Sequence, residues 1–140
     1  EENTALHLLP KALTLGVGCR KGTSQVVLEN AYAALLSEQN FAPEAFVQAA
    51  SIDLKANEPG LLAFCTAHSW ELTTYSAEEL SKLPGDFTPS PFVAQITGVD
   101  NVCERAAVRA SGGHLIRKKW KGAGVTFAVA LAPVHFDWRW

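Results

Sequence analysis

The chain has 140 residues, 48% hydrophobic and 19% charged, with a formal net charge of −2. That is the length of one domain with enough apolar surface for a core, which excludes a disordered or low-complexity chain. The near-neutral balance also lacks the cationic footprint of a general nucleic-acid binder. Three cysteines, Cys19, Cys65 and Cys103, suggest no disulfide framework and point to a reducing compartment. The longest apolar run, Ala123 to Val134, is too short to span a bilayer. The opening Glu1-Glu2-Asn3 is acidic where a signal peptide is basic. The expectation is a cytoplasmic protein, a single domain over residues 1–140, with no membrane segment.

Leu13 to Val17 is a short apolar run that predicts a buried strand, followed by a glycine-rich turn from Gly16 to Gly22. Thr23 or Ser24 is placed to N-cap a helix, with Val27, Leu28, Ala31, Ala34 and Leu35 at helical spacing up to the break at Pro43. A second strand is expected at Val47 to Ile52. Asn57-Glu58-Pro59 then starts a helix over Gly60 to His68, because a proline in the first turn gives up an amide that would have no partner. A third strand follows at Glu71 to Tyr75. Ser76 and Glu79 have capping-box spacing and open a short helix that ends at Pro84-Gly85.

Pro84 to Pro91 reads as a surface loop, and Ser90-Pro91 starts a helical segment that stops at Gly98. Asn101 and Glu104 repeat the capping-box spacing at the head of a helix running to Ser111, before Gly112-Gly113. His114 to Lys119 and Val125 to Leu131 read as a closing β-hairpin. Strands that alternate with helices predict an α/β fold, a mainly parallel sheet covered on both faces, in which the hairpin forces one antiparallel strand.

Ligands of such sheets sit at the carboxyl ends of strands, where helix amino ends present free amides. The loop containing Gly18, Cys19, Arg20, Lys21, Gly22, Thr23 and Ser24 is therefore a candidate anion site, for phosphate or carboxylate. It matches neither G-x-G-x-x-G nor a P-loop, and its plainer reading is a glycine turn with two solvated bases. Cys19 is either a thiol whose pKa the nearby cations and helix end lower, or a small residue filling a tight turn. Asp53, Lys55 and Glu58 cluster at the end of the second strand, either as ligand-orienting groups or as a solvated loop.

Cys65 and His68 share a helix face, but no second pair at ligand spacing completes a metal set, so they read as a core cysteine beside a surface histidine. His7, His114 and His135 are similarly isolated. Arg117 to Lys121 gathers four cations around Trp120. That is a charged wall for an acidic ligand, an RNA contact, or a charged hairpin tip that blocks edge aggregation. Trp70, Trp138 and Trp140 read as packing or tail residues.

Several segments resemble, in order, the blocks of one family. They are Gly16 to Ser24, Ser51 to Leu61, Ser76 to Leu80, Ser90 to Val93, Gly98 to Ala107, and the hairpin with Lys118 or Lys119 and Val125 to Val129. The family is the C-terminal domain of the cobalamin-biosynthesis protein CbiG, together with CobE, which consists of that domain alone. The resemblance covers about residues 12 to 132. It implies a three-layer α/β/α sandwich with a mixed, mainly parallel sheet of about five strands, and work on precorrin or cobalt-precorrin intermediates of vitamin B12 synthesis. Full-length CbiG opens a lactone of a cobalt-precorrin and releases acetaldehyde, whereas the length here resembles CobE.

By the same resemblance, the glycine-rich block maps to Gly16, Gly18, Cys19, Arg20, Gly22, Thr23 and Ser24, the second block to Asp53, Lys55 and Glu58, and the helix-start block to Gly98 and Glu104. Arg105 stands where a small residue is expected. A tetrapyrrole precursor is a flat apolar ring with a rim of carboxylates, which Arg20, Lys21 and Lys119 would neutralise beside backbone amides. No intrinsic cofactor and no metal ligand set is evident. The leading expectation is a carrier or accessory factor that binds a carboxylated corrin. In a CbiG-type hydrolase, Glu104 or Asp53 would be the general base. Two other readings are a nucleotide-binding α/β domain and an interaction module that docks onto other pathway enzymes through Phe136 to Trp140.

Overall fold

The computed structural model describes residues 12–84, 87 and 102–133. Its strands are β1 (Leu13–Cys19), β2 (Phe46–Ile52), β3 (Glu71–Tyr75), β4 (His114–Gly122) and β5 (Val125–Leu131). Its α-helices are α1 (Gln25–Gln39), α2 (Pro59–Ala67), α3 (Ala77–Ser81) and α4 (Val102–Ser111), with 3-10 turns at Pro43–Ala45 and Asp53–Lys55. The helical segment expected after Ser90-Pro91, the Asn101 cap, His7, His135 and the Phe136 to Trp140 tail all lie outside the described residues.

The local signals act as their chemistry dictates. Ser24 caps α1, its hydroxyl accepting from Val27 N at 3.3 Å. Leu28, Ala31, Tyr32 and Leu35 turn one face of α1 into the core. Pro59 opens α2. At α3 both capping-box bonds form: Ser76 Oγ accepts from Glu79 N at 3.1 Å, and Glu79 Oε1 accepts from Ser76 N at 3.2 Å. Such a cap contributes about 1 kcal/mol.

The sheet order is β3-β2-β1-β5-β4. β1, β2 and β3 are parallel, β5 runs antiparallel to both its neighbours, and β4 therefore points the same way as β1. The sheet is mixed and α/β in class, with β5 as the single reversed strand that the hairpin requires. The hairpin turns on Ala123 (φ 55°) and Gly124 (φ 79°), a two-residue loop with both φ positive, whose twist suits adjoining strands.

Helices cover both faces. One face packs Leu15 and Val17 of β1 and Val125, Phe127 and Val129 of β5 against Leu28, Tyr32 and Leu35 of α1 and Leu61 and Phe64 of α2. On the other, Ala50 and Ile52 of β2 meet Leu80 of α3 and Val102 and Ala106 of α4. A bulge at the start of β2, where Leu13 pairs with Phe46 but Thr14 with Gln48, brings Phe46 and Ala49 into the same cluster despite their odd spacing. Fully burying a Leu or Phe side chain contributes about 1.5–3 kcal/mol, so this two-sided core dominates stability.

The structure differs from the sequence reading at β1. The strand continues through Gly16 and Gly18 to Cys19, so these glycines lie in the strand and the turn begins only at Arg20. A Cβ on Gly16 would stand 1.8 Å from the Cys103 carbonyl oxygen, because α4 passes directly over this point. Among the described residues no helix is long and apolar enough to cross a membrane.

Candidate functional site

β1, β2 and β3 finish at one edge of the sheet, and β5 begins there, since Cys19 pairs with Val125. The amino ends of α1, α2 and α3 follow those strands. α4 also starts at this edge. Its Cys103 lies over Gly16, while its Ala110 carbonyl accepts from Gln48 Nε2 at 3.2 Å near the opposite end of the sheet. Helix amino ends carry unpaired amides and a partial positive charge, so the edge is electrostatically suited to anions.

The first loop is tightly tied. Thr23 donates to the Arg20 carbonyl through its backbone N–H at 3.2 Å and its hydroxyl at 2.7 Å. Gly22 takes the left-handed conformation (φ 82°) and donates its N–H to Glu58 Oε1 at 2.9 Å. Glu58, at the head of α2, thus clamps the first loop to the second, a link across 36 residues that local sequence does not reveal. Arg20 and Lys21 are exposed on this clamped loop.

Cys19 is half-buried at its root. Burial pushes its thiol pKa up and Glu58 adds to this, while Lys55 and a hydrogen bond with Thr23 oppose it without prevailing. Of the two readings the sequence offered for Cys19, the packed small residue is the one the structure supports. Lys55 and Glu58 gather around it as sequence reasoning anticipated, whereas Asp53 is exposed in the 3-10 turn.

A second group forms on the α4 face. Glu104 is fully buried, and its Oε2 accepts from the backbone N–H of Lys119 at 2.6 Å. Thr126 donates its hydroxyl to the Gly18 carbonyl at 3.3 Å and hydrogen-bonds the Cys103 side chain. Burial pushes the Cys103 thiol up to about 12, although the Thr126 bond and the nearby Lys119 charge pull the other way. Gly18, Cys103, Glu104, Lys119 and Thr126 thus meet from four elements, β1, α4, β4 and β5. Thr126 and Cys103 were not foreseen, because an alternating strand and an amphipathic helix give no local sign of their meeting.

Other candidates separate from this edge. Trp120 is buried on the opposite face, stacked 5.9 Å from Phe127, with Nε1 donating to Glu38 Oε1 at 2.9 Å. It therefore offers no free ring for stacking on a nucleotide. Arg117 to Lys121 lie within the edge strand β4, not at the hairpin tip. Cys65 is buried, its thiol pushed up to about 11, while His68 Nε2 lies 2.8 Å from Glu29 Oε1 and its ring stacks on Trp70. Arg105, the unexpected large residue, donates to the Leu80 carbonyl at 3.1 Å and covers the Phe87 ring at 4.5 Å, which ties α4 to α3.

Comparison with known proteins places this arrangement. Residues 13–130 match the family model described as Cobalamin synthesis G C-terminus. A cobalt-precorrin-5A hydrolase of Priestia megaterium is 36% identical over 133 residues, 94% of this chain and 35% of that protein. A protein of the same name from Salmonella typhimurium is 32% identical over 125 residues, 89% of this chain and 36% of that protein. The chain thus spans about a third of the length of the curated relatives it matches. The crystal structure of CobE, a protein from the cobalamin (vitamin B12) biosynthetic pathway, superposes with a TM-score of 0.79 at 27% identity, covering 89% of this chain and 93% of that one. With the model match running nearly from end to end of the described fold, the chain belongs to the family of the cobalamin synthesis G C-terminal domain, the CbiG/CobE type.

Proposed function

We propose that the chain binds a carboxylated precorrin or cobalt-precorrin at the carboxyl edge of its sheet, as a carrier or accessory factor. The observation that carries this reading is the clamped loop, in which the Gly22 amide already holds the Glu58 carboxylate while Arg20 and Lys21 stand exposed beside it. A pre-ordered loop loses little freedom on binding, so its charges act at full effect. Each charge-assisted hydrogen bond to a ring carboxylate contributes about 1.5–3 kcal/mol, enough for a few of them to set the orientation of the macrocycle. The test is titration with a carboxylated corrinoid, followed by its visible spectrum and by co-elution on a sizing column. A spectral shift that weakens in Arg20→Ala/Lys21→Ala is expected. Unchanged spectra with separate elution refute the reading.

The name shared by the two relatives, cobalt-precorrin-5A hydrolase, favours a second reading, hydrolysis of a cobalt-precorrin. Here Asp53 is an exposed carboxylate at the edge, whereas the buried Glu104 has one oxygen committed to the Lys119 amide. Release of acetaldehyde from a cobalt-precorrin-5A substrate, lost in Asp53→Asn, would establish it. Binding without acetaldehyde leaves the carrier role.

A further inference from the structure

β4 lies at the sheet edge and carries two register shifts against β5, the second between Arg117 and Trp120, around Lys118 and Lys119. A bulge takes backbone groups out of the ladder, and each then needs another partner. Here charged side chains supply them. Glu104 Oε2 takes the Lys119 N–H at 2.6 Å, and Arg117 Nη1 donates to the carbonyls of Lys118 at 2.8 Å and Lys119 at 3.4 Å.

Burying a carboxylate completely is costly, and a single amide bond offsets only part of that cost. The carboxylate does more than that: it ties the bulge to the amino end of α4, beside Cys103, Thr126 and Gly18. Glu104 lies in the first turn of α4, whose amino end stands at the edge assigned above to the ligand, so the bulge that carries Lys119 is fixed beside that edge.

We propose that Glu104 is a positioning residue: by holding the bulge amide it aims the Lys119 ammonium at a carboxylate of the bound ligand. This rests on the binding reading given under Proposed function. Lys119→Met removes the ammonium but keeps the amide and its bond to Glu104. Glu104→Gln keeps the size of the side chain but removes its charge.

The probes are cobyrinic acid, a corrin with free carboxylates, and its neutral methyl ester. Expected are losses of about tenfold in affinity for the acid in each single variant, the size of one charge-assisted contact. The double variant should bind no more weakly than Lys119→Met alone, because one contact cannot be lost twice. Ester binding should be the same in all. Independently of any ligand, the Lys119 amide resonance should lie downfield and move upfield in Glu104→Gln.

Additive losses, or a Glu104→Gln protein that binds the acid like wild type, overturn the proposal. So does a Lys119 amide that does not respond. If wild type binds neither probe, the binding reading fails, and this inference with it. Wild-type binding with additive losses removes this inference alone. Should Glu104→Gln not fold, Glu104→Asp retracts the carboxylate with its charge intact and carries the same cycle.

Discussion

Replacing Gly16 by alanine tests how the α4 layer sets the site. The added Cβ would stand 1.8 Å from the Cys103 carbonyl oxygen, 2.8 Å from its carbon and 2.9 Å from the Ala107 Cβ. Heavy atoms settle near 3.5 Å, so the helix backbone has to retreat by roughly 1.5 Å. Overpacking a dense interior costs about 1–3 kcal/mol, and with backbone as the obstacle about 3 kcal/mol is expected. At this chain length each kcal/mol lowers Tm by about 2–4 °C, giving a fall of roughly 6–12 °C by calorimetry. The same retreat would carry Glu104 off the Lys119 amide, since a bond of 2.6 Å does not survive a displacement of this size. Gly18→Ala is the control: its Cβ would meet the Thr126 hydroxyl at 2.4 Å, a side-chain end that rotates away, so about 1 kcal/mol is expected. A Gly16→Ala protein that melts within about 2 °C of wild type would refute the reasoning.

Cys19 should be the fastest thiol to alkylate, being half-buried where Cys65 and Cys103 are buried, with a pH midpoint above 9.0. Glu58→Gln should move that midpoint down and Lys55→Gln should move it up, as measured by iodoacetamide rates with mass-spectrometric assignment; shifts of the opposite sign would contradict the assigned causes. Alkaline stability should also decline. Cys65 and Cys103 hold their protons to about 11 and about 12 in the fold but release them near 9.0 when unfolded, so their contribution is whole below pH 9.0 and lost as pH rises through the folded values. Urea unfolding from pH 8 to 11 should show a shallower decline in Cys103→Ala. Trp120→Phe should keep the stack on Phe127 but lose the Nε1–Glu38 bond, costing about 1 kcal/mol in urea unfolding; a loss above about 3 kcal/mol would show that ring packing, not the hydrogen bond, was removed.

What was legible in the sequence follows the range of the forces involved. The Ser76–Glu79 box, the Ser24 cap and Pro59 at the head of α2 act within a turn, and each formed as its chemistry requires. Gly16 and Gly18 misled because glycine marks turns in isolation, whereas here it answers the approach of α4 and Thr126 from elsewhere in the chain. Cys19 stayed open between two readings for a related reason: nearby cations were visible in the sequence, but the burial that outweighs them was not. For Glu104 the helix-start spacing was visible, but its bond to a bulge amide in β4 was not, because bulges leave no mark on a hydrophobic pattern.

The reversal of β5 explains why the site draws on such distant segments. In a wholly parallel sheet the amino end of the last strand would lie at the far edge from the first loop. Running backwards, β5 places Thr126 against Gly18, and its partner β4 carries Lys119 past the amino end of α4. The loop of Arg20 and Lys21 is tied to the head of α2, and the β4 bulge that carries Lys119 to the first turn of α4. Two different anchors hold these cations, the Glu58 clamp on the Gly22 amide and the Glu104 clamp on the Lys119 amide. In both, a carboxylate fixes backbone beside a cation, and under the proposed binding reading those positive charges would face the acidic ligand.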